Sequence, residues 1–160
     1  MSKLVLYHGW PSINRPIGAR SGSFQILNEK RIPMSDHLQH ERITKHLQDV
    51  FETGPEHLWA RYPTYAVFRH PLSRKWYALI MDVPRSRLGL EGDEPVAVLD
   101  LKCSPLMVGS LMSEQGFLPA YHMNKSSWIS ILLDGSVPDE KIIPLLELSY
   151  DSAAPKRKKR

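Results

Sequence analysis

At 160 residues the chain is long enough for one domain that buries roughly 70% of the surface its unfolded form exposes, so folding requires neither a metal nor a disulfide. Its single cysteine, Cys103, excludes an intramolecular disulfide and fits a reducing cytoplasm. The net charge is +4, but residues 1–33 carry +4 and the last five residues carry +5, which leaves residues 34–155 at −5. Any affinity for phosphate therefore depends on the basic ends or on local clusters within an acidic body.

Residues 1–33 differ in character from the rest of the chain, since Pro and Gly interrupt them and they show no sustained hydrophobic period. The short apolar run after Lys3 lacks the length and the cleavage site of a secretory signal. No apolar stretch approaches the ~20 residues that span a bilayer, so we expect a soluble, cytoplasmic protein without membrane contact. We interpret residues 1–33 as a disordered or non-native leader before a natural start at Met34. The alternative is that "LVLYHG" forms a genuine strand.

The body of the chain shows alternating helix and strand signals. Ser35 and Asp36 are good N-cap residues for a first helix, and Gly54 before Pro55 is a typical helix end. Ser104 followed by Pro105 marks the start of the second helix. The predicted elements, in chain order, are a helix over 34–53, strands over 66–70, 75–83 and 95–103, a helix over 105–115, strands over 117–123 and 127–134, and a helix over 138–154.

This order, α-β-β-β-α-β-β-α, contains two strand hairpins with helices between and around them. Such a pattern favours an α+β fold, a two-layer sandwich in which a five-stranded antiparallel sheet carries its helices on one face. We place the domain at residues 34–153, and a basic tail at residues 154–160. Within the last strand, Ile129, Ile131 and Leu133 alternate with Trp128 and its neighbours, so one set is expected to face the helices.

Basic and aromatic residues gather on the two hairpins and after the second strand. Lys and Arg at hairpin tips can contact phosphate, and aromatic rings can stack on unpaired bases. The alternative is that hairpin tips are exposed in any fold and that the tryptophans merely cover the sheet. The predicted nucleic-acid contacts are Arg69, Arg74, Lys75, Arg85, Arg87, His122, Asn124, Lys125 and Trp128.

Other site chemistries find little support in the sequence. His37, His40 and His46 lie on one helix but do not converge, because His46 is about half a turn round from His37. A Cys103–His122 pair is conceivable, but a small buried strand-end cysteine is the simpler interpretation. The glycines of "GLEGDEP" lack the Gly-x-Gly-x-x-Gly spacing of a phosphate loop. We therefore predict no enzyme activity, no cofactor and no metal.

Three stretches, "YPTYAVFRHPLSRKWYALIMDVPRSRLGL", "LDLKCSPLMVGSLM" and "GFLPAYHMNKSSWISILLDGSVPDEKI", resemble the MmcQ/YjbR family over about residues 36–152. The resemblance implies a CyaY-like α+β fold and a bacterial, cytoplasmic protein. Family members are described as DNA-binding on the inference, drawn from shape, that two hairpins act as a double wing. The family brings no catalytic residues. The residues that match its recurrent motif are His122, Asn124, Lys125, Trp128, Asp134 and Gly135.

Together, these observations predict a non-catalytic domain that binds double-stranded DNA through two hairpin wings, assisted by the basic tail. One alternative is a protein-interaction module that uses the acidic surface of the body. Another is a small-ligand binder at the patch formed by His122, Lys125 and Trp128. On the DNA hypothesis, one wing carries Arg69, Arg74 and Lys75, and the other carries His122, Lys125 and Trp128.

Overall fold

The computed structural model describes residues 34–156, with side chains from residue 38 onward, so the predicted leader and residues 157–160 of the predicted tail lie outside the described residues. The elements follow the predicted order, α-β-β-β-α-β-β-α. The helices are α1 (Met34–Phe51), α2 (Pro105–Leu111) and α3 (Asp139–Ala153). The strands are β1 (Ala66–Arg69), β2 (Trp76–Pro84), β3 (Pro95–Lys102), β4 (Phe117–Pro119) and β5 (Trp128–Leu132).

The five strands form one antiparallel sheet in the order β1-β2-β3-β5-β4. β3 is the central strand, because it pairs with β2 on one side and with β5 on the other. β4 pairs only with β5 and closes the far edge of the sheet. The predicted α+β fold with a five-stranded antiparallel sheet is therefore confirmed.

Both faces of the sheet are buried, and β5 shows how the chain divides between them. Ile129 and Ile131 belong to the core cluster that packs against the three helices, whereas Trp128 and Leu132 belong to a second cluster on the opposite face. This alternation is the predicted one. The opposite face is covered by connecting segments, one of which contains a turn of 3₁₀ helix, and carries no α-helix among the described residues. The covering side chains include Trp59, Tyr62, Leu88, Leu90 and Tyr121.

α1 ends earlier than predicted. Its last residue is Phe51, and Glu52 follows with φ of 52°, in the left-handed region that usually favours glycine. Gly54, predicted as the helix end, lies in the connection beyond. The backbone N–H and the hydroxyl of Thr53 both donate to the carbonyl of Leu47, which satisfies the helix end without a glycine.

α2 begins as predicted, with the Ser104 hydroxyl accepting a hydrogen bond from a backbone N–H of the first turn and Pro105 in the first helical position. It ends at Leu111 and not near Gly116. Gly116 instead precedes β4 with φ of 85°, and a Cβ there would overlap the side chain of Val137. Close packing at the start of β4, in addition to backbone conformation, therefore requires this glycine.

A buried amide on α1 fixes the segment that leads into α3. Gln39 donates through Nε2 to the carbonyl of Val137 (2.8 Å) and to Asp139 (2.9 Å), and its Oε1 accepts from the backbone N–H of Gly135 (2.8 Å). Arg42 also donates to Asp139 at 2.6 Å, and this hydrogen bond holds the pKa of the Asp139 carboxyl below its usual range. The "DGSVPDE" stretch, which leads from β5 into α3, is thus hydrogen-bonded to α1 and has a structural role.

Candidate functional site

The turn between β1 and β2 is held closed by His70. Its buried imidazole accepts hydrogen bonds through Nδ1 from the backbone N–H groups of Leu72 (3.2 Å) and Ser73 (3.4 Å). The His70 ring lies 4.5 Å from the ring of Tyr150 on α3, measured between centroids. Ser73 Oγ donates to the backbone carbonyl of the last residue of α3. The first hairpin tip is therefore anchored to α3.

Glu56 forms salt bridges with both arginines of the first hairpin. Its carboxylate accepts from Arg69 Nε at 2.9 Å and from Arg74 Nη2 at 2.8 Å. Glu56 is itself fixed, because its backbone exchanges two hydrogen bonds with Val67 of β1. Arg69 also lies over the ring of Trp76, 5.4 Å from its centroid. Two of the three cations predicted on this hairpin therefore have a local acidic partner, while Lys75 forms no ion pair with any residue between 38 and 156.

The two arginines that follow β2 have different environments. Arg85 lies 3.7 Å from the carboxylate of Asp134 and donates to the carbonyl of Glu91 at 3.1 Å. Arg87 is exposed and has no ion-pair partner in the described part of the chain. The turn of 3₁₀ helix that carries both residues packs Leu88 against the second core cluster. This packing holds Arg87 on the face of the sheet opposite the helices.

The connection between β4 and β5, residues 120–127, forms an ordered loop. Asn124 Oδ1 accepts from the backbone N–H (2.9 Å) and the hydroxyl (2.8 Å) of Ser126, a turn typical of asparagine. His122 adopts a left-handed backbone with φ of 59°. Lys125 is exposed at the tip and makes no ion pair with a described residue. Asn124 thus shapes the loop that presents Lys125.

Arg87, His122 and Lys125 come together along a groove of about 330 Å³, called here the basic groove. Burial, and then the positive charges of Arg87 and Lys125, lower the pKa of His122 below its ordinary value. The lowered pKa favours the neutral imidazole beside the side chains of Arg87 and Lys125. The remaining lining is Leu88, Leu118, Pro119, Ala120 and Tyr121. Three of the nine predicted contact residues thus share one concave surface.

Behind this groove lies a buried acidic side chain. Asp100, on the central strand, is fully buried, and its Oδ1 accepts a hydrogen bond from Ser130 Oγ on β5. Ser130 Oγ in turn accepts from the backbone N–H of Tyr121 at 2.9 Å. Asp100 Oδ2 has no hydrogen-bond partner in the described structure, and burial raises the pKa of this carboxyl well above its ordinary value. The alternation of "VAVLDLK" places Asp100 on the same face as Val98 and could have identified it as buried.

Trp128 lies apart from the basic groove. Its side chain is only 6% exposed, within the second core cluster, and Lys102 Nζ sits 5.8 Å from the ring centroid. Burial, and then the charge of Lys75, lower the pKa of Lys102. The structure therefore separates Trp128 from His122 and Lys125, with which the sequence analysis had grouped it, and adds Lys102 to the cations near Lys75.

Other chemistries have no counterpart in the described residues. Cys103 packs against the helix-side core, and burial raises the pKa of its thiol to about 11. His122 lines the basic groove on the other side of the sheet, so the two residues do not form a nucleophile–base pair. No group of three metal-ligating side chains converges among the described residues. None of the helices described is both long and apolar enough to cross a membrane.

Sequence relatives match most of the chain. The family model described as YjbR matches residues 47–152. The uncharacterized protein YyaQ of Bacillus subtilis is 42% identical over 113 residues, which cover 71% of this chain and 96% of that protein. The uncharacterized protein YjbR of Escherichia coli K12 is 38% identical over 56 residues, 34% of this chain and 48% of that protein.

Solved structures match the same region. A crystal structure of a Pseudomonas syringae protein has a TM-score of 0.70 at 44% identity, covering 71% of this chain and 97% of that one. Deinococcus radiodurans protein DR2400, at 24% identity, shares the fold with a TM-score of 0.53 over 69% of this chain and 75% of that one. With the family model matching about two thirds of its length, and in agreement with the resemblance stated above, the chain belongs to the YjbR family.

Proposed function

We propose that the protein binds the phosphate backbone of double-stranded DNA with one basic surface, centred on Arg87 and Lys125. The observation that carries this proposal is the meeting of these two cations, neither of which has an ion-pair partner in the described residues, beside His122. Phosphate contacts from Lys and Arg supply most sequence-independent DNA affinity. A local positive cluster can do this even though residues 34–155 carry a net charge of −5.

The surface is one-sided and does not consist of two equal wings. On the first hairpin, Arg69 and Arg74 share the carboxylate of Glu56, and a phosphate would have to compete with that carboxylate. Lys75 is the cation of this hairpin without an ion pair among residues 38–156, and we assign it a secondary contact. The basic tail then supplies further non-specific attraction.

The two tryptophans of the hairpins do not offer a stacking platform for a single strand. Binding of single strands relies on exposed aromatic rings on which bases stack. Trp76 and Trp128 are 8% and 6% exposed, so neither offers a free face for stacking. We propose a non-catalytic, sequence-independent interaction in a bacterial cytoplasm.

The test is duplex DNA binding measured against salt concentration for the full-length chain. The variant Arg87→Gln/Lys125→Gln is expected to lose about tenfold or more in affinity and to lower the salt slope by about two units. The charge-matched control Lys45→Gln/Arg74→Gln removes two cations that already have acidic partners, and we expect its slope to change by less than one unit.

A third variant, Lys158→Gln/Lys159→Gln, separates the basic tail from the folded surface. If only this variant loses affinity, binding belongs to the tail and the proposed surface is wrong. If the double variant in the groove and the charge-matched control lose affinity equally, net charge alone governs binding, and the proposal is equally wrong.

A further inference from the structure

We propose that the basic groove is a binding site for a small organic anion, a compact molecule with an apolar body and a terminal phosphate or carboxylate. A flat patch of cations would be enough to contact a DNA backbone. This surface is instead concave, with a volume of about 330 Å³, at the lower end of the range for small-ligand pockets. Such a volume suits a single aromatic ring with its charged substituent.

The charged end of the ligand would lie between Arg87 and Lys125. A guanidinium can bind two oxygens of a phosphate or carboxylate at once, and an ammonium adds a second cation without a fixed direction. His122 lies beside them, and the lowered pKa of its imidazole disfavours a third positive charge there. Neither Arg87 nor Lys125 is neutralised by a carboxylate within ion-pair distance in the part of the chain described.

The apolar end would lie against the remaining lining. Leu88, Leu118, Pro119 and Ala120 form this part of the groove, and the first two also pack against the second core cluster. Apolar surface next to two cations favours a ligand that brings both features, because burying apolar area adds to the charge–charge attraction. Inorganic phosphate would satisfy only half of the site.

Hydrogen bonds behind the groove hold its lining in place. The backbone N–H of Tyr121 donates to Ser130 Oγ, which donates to the buried Asp100. Tyr121 and His122 are neighbours in this lining, and their rings lie 3.9 Å apart. The groove is thus supported by the central strand, and a preformed site costs less ordering on binding.

The ligand would use the same two cations as the proposed DNA contact, so the two would compete, but ligand binding does not depend on DNA binding. A DNA-binding measurement alone would therefore leave this site untested. The two ideas can fail separately, and the experiment has to measure the small ligand directly.

The experiment is a titration of the full-length chain, followed by NMR chemical shifts, with phenyl phosphate, benzoate, inorganic phosphate and phenol. We expect phenyl phosphate or benzoate to bind at least tenfold more tightly than inorganic phosphate, and phenol to bind no more tightly than inorganic phosphate. Shifted resonances are expected at residues 87–88 and 118–125. Arg87→Gln/Lys125→Gln should weaken phenyl phosphate binding at least tenfold, and Lys45→Gln/Arg74→Gln should leave it unchanged.

The apolar wall is tested by Leu88→Gln, which keeps both cations. This variant is expected to weaken phenyl phosphate severalfold and to leave inorganic phosphate unchanged. If Leu88→Gln does not fold, the comparison of phenyl phosphate with inorganic phosphate in the unchanged protein decides the point. Affinities of phenyl phosphate and benzoate that both equal that of inorganic phosphate, or no site-specific shifts with any of the four compounds, would overturn the inference.

Competition with DNA separates the two proposals. Displacement of duplex DNA by phenyl phosphate, at constant ionic strength, is expected if both are right. Binding of phenyl phosphate without any DNA binding would support the ligand site and end the proposed DNA function. DNA binding through Arg87 and Lys125 without binding of any small anion would support the DNA function and overturn the ligand site.

Discussion

The two hairpins are alike in sequence chemistry and differ in how much of their charge is available. Each connection carries at least one Lys or Arg, one histidine and one left-handed residue that is not glycine, Arg74 with φ of 60° and His122 with φ of 59°. In the first, His70 is buried and forms the turn, and Glu56 accepts from both arginines. In the second, His122 lines a groove, and no acidic side chain lies within ion-pair distance of Lys125 in residues 38–156.

The difference arises from residues far away in the chain. Glu56 reaches the first hairpin because its backbone adds a bridge to the edge strand β1. Arg87 reaches the second because the turn after β2 packs its leucines onto the sheet. Basic residues at a hairpin tip therefore indicate exposure, while the availability of their charge depends on which distant side chains fold beside them.

The largest difference in the free energy of unfolding is expected between variants of the two histidines, His70 and His122. His70→Ala removes a buried ring and the acceptor of two backbone N–H groups, so we expect the free energy of unfolding to fall by about 2–4 kcal/mol. His122→Asn introduces a residue that tolerates a left-handed backbone. It should change the free energy of unfolding by less than about 1 kcal/mol. Urea denaturation of both variants tests this. Equal losses would mean that His122 is as structural as His70.

The next effect concerns the buried acid behind the second hairpin. Because the folded pKa of Asp100 is raised, the folded state retains a proton that the unfolded chain releases near pH 4, and stability falls as pH rises above that value. The Asp100→Asn variant has no carboxyl group to titrate and so does not lose stability in this way, and the Asn side chain can still accept a hydrogen bond from Ser130. We expect the variant to gain about 1–3 kcal/mol relative to the unchanged protein at about pH 8, and the gain to shrink towards about pH 4.

Denaturation of both proteins at several pH values measures this difference. Asp93→Asn, in an exposed loop, is the matched control and should show no such trend. A stability difference for Asp100→Asn that stays constant with pH, or one that grows towards acid, would contradict the assignment of a raised pKa.

The smallest expected effect tests the first hairpin directly. Glu56→Gln removes the charge that Arg69 and Arg74 share, at a cost in stability of less than about 1 kcal/mol because the pairs are partly exposed. If the hairpins differ only in charge availability, DNA affinity should rise severalfold and the salt slope should steepen by about one unit. Glu147→Gln, an exposed change of the same charge on α3, is the control. An equal gain in both variants would mean that net charge alone is responsible.

Several features of the molecule were predictable because they depend on local pattern. Alternation in "SWISILLD" predicted which face of β5 meets the helices, and Ser104-Pro105 predicted the start of α2. The ends of α1 and α2 were predicted wrongly at Gly54 and Gly116. At the end of α1, Thr53 satisfies the carbonyl of Leu47 through local hydrogen bonds, and Gly116 is needed at the start of β4, where Val137 packs against it.

The sequence by itself determined the element order, the fold class and the family, because periodicity, caps and a long matching stretch are properties of neighbouring residues. Only the tertiary structure decided which of the nine predicted contact residues come together. Arg87 lines the same groove as His122 and Lys125, more than thirty residues further along the chain. Glu56 forms salt bridges with Arg69 and Arg74, and Trp128 is buried in the core. Electrostatic partners and burial depend on distances between segments remote in sequence, and local pattern carries no information about those distances.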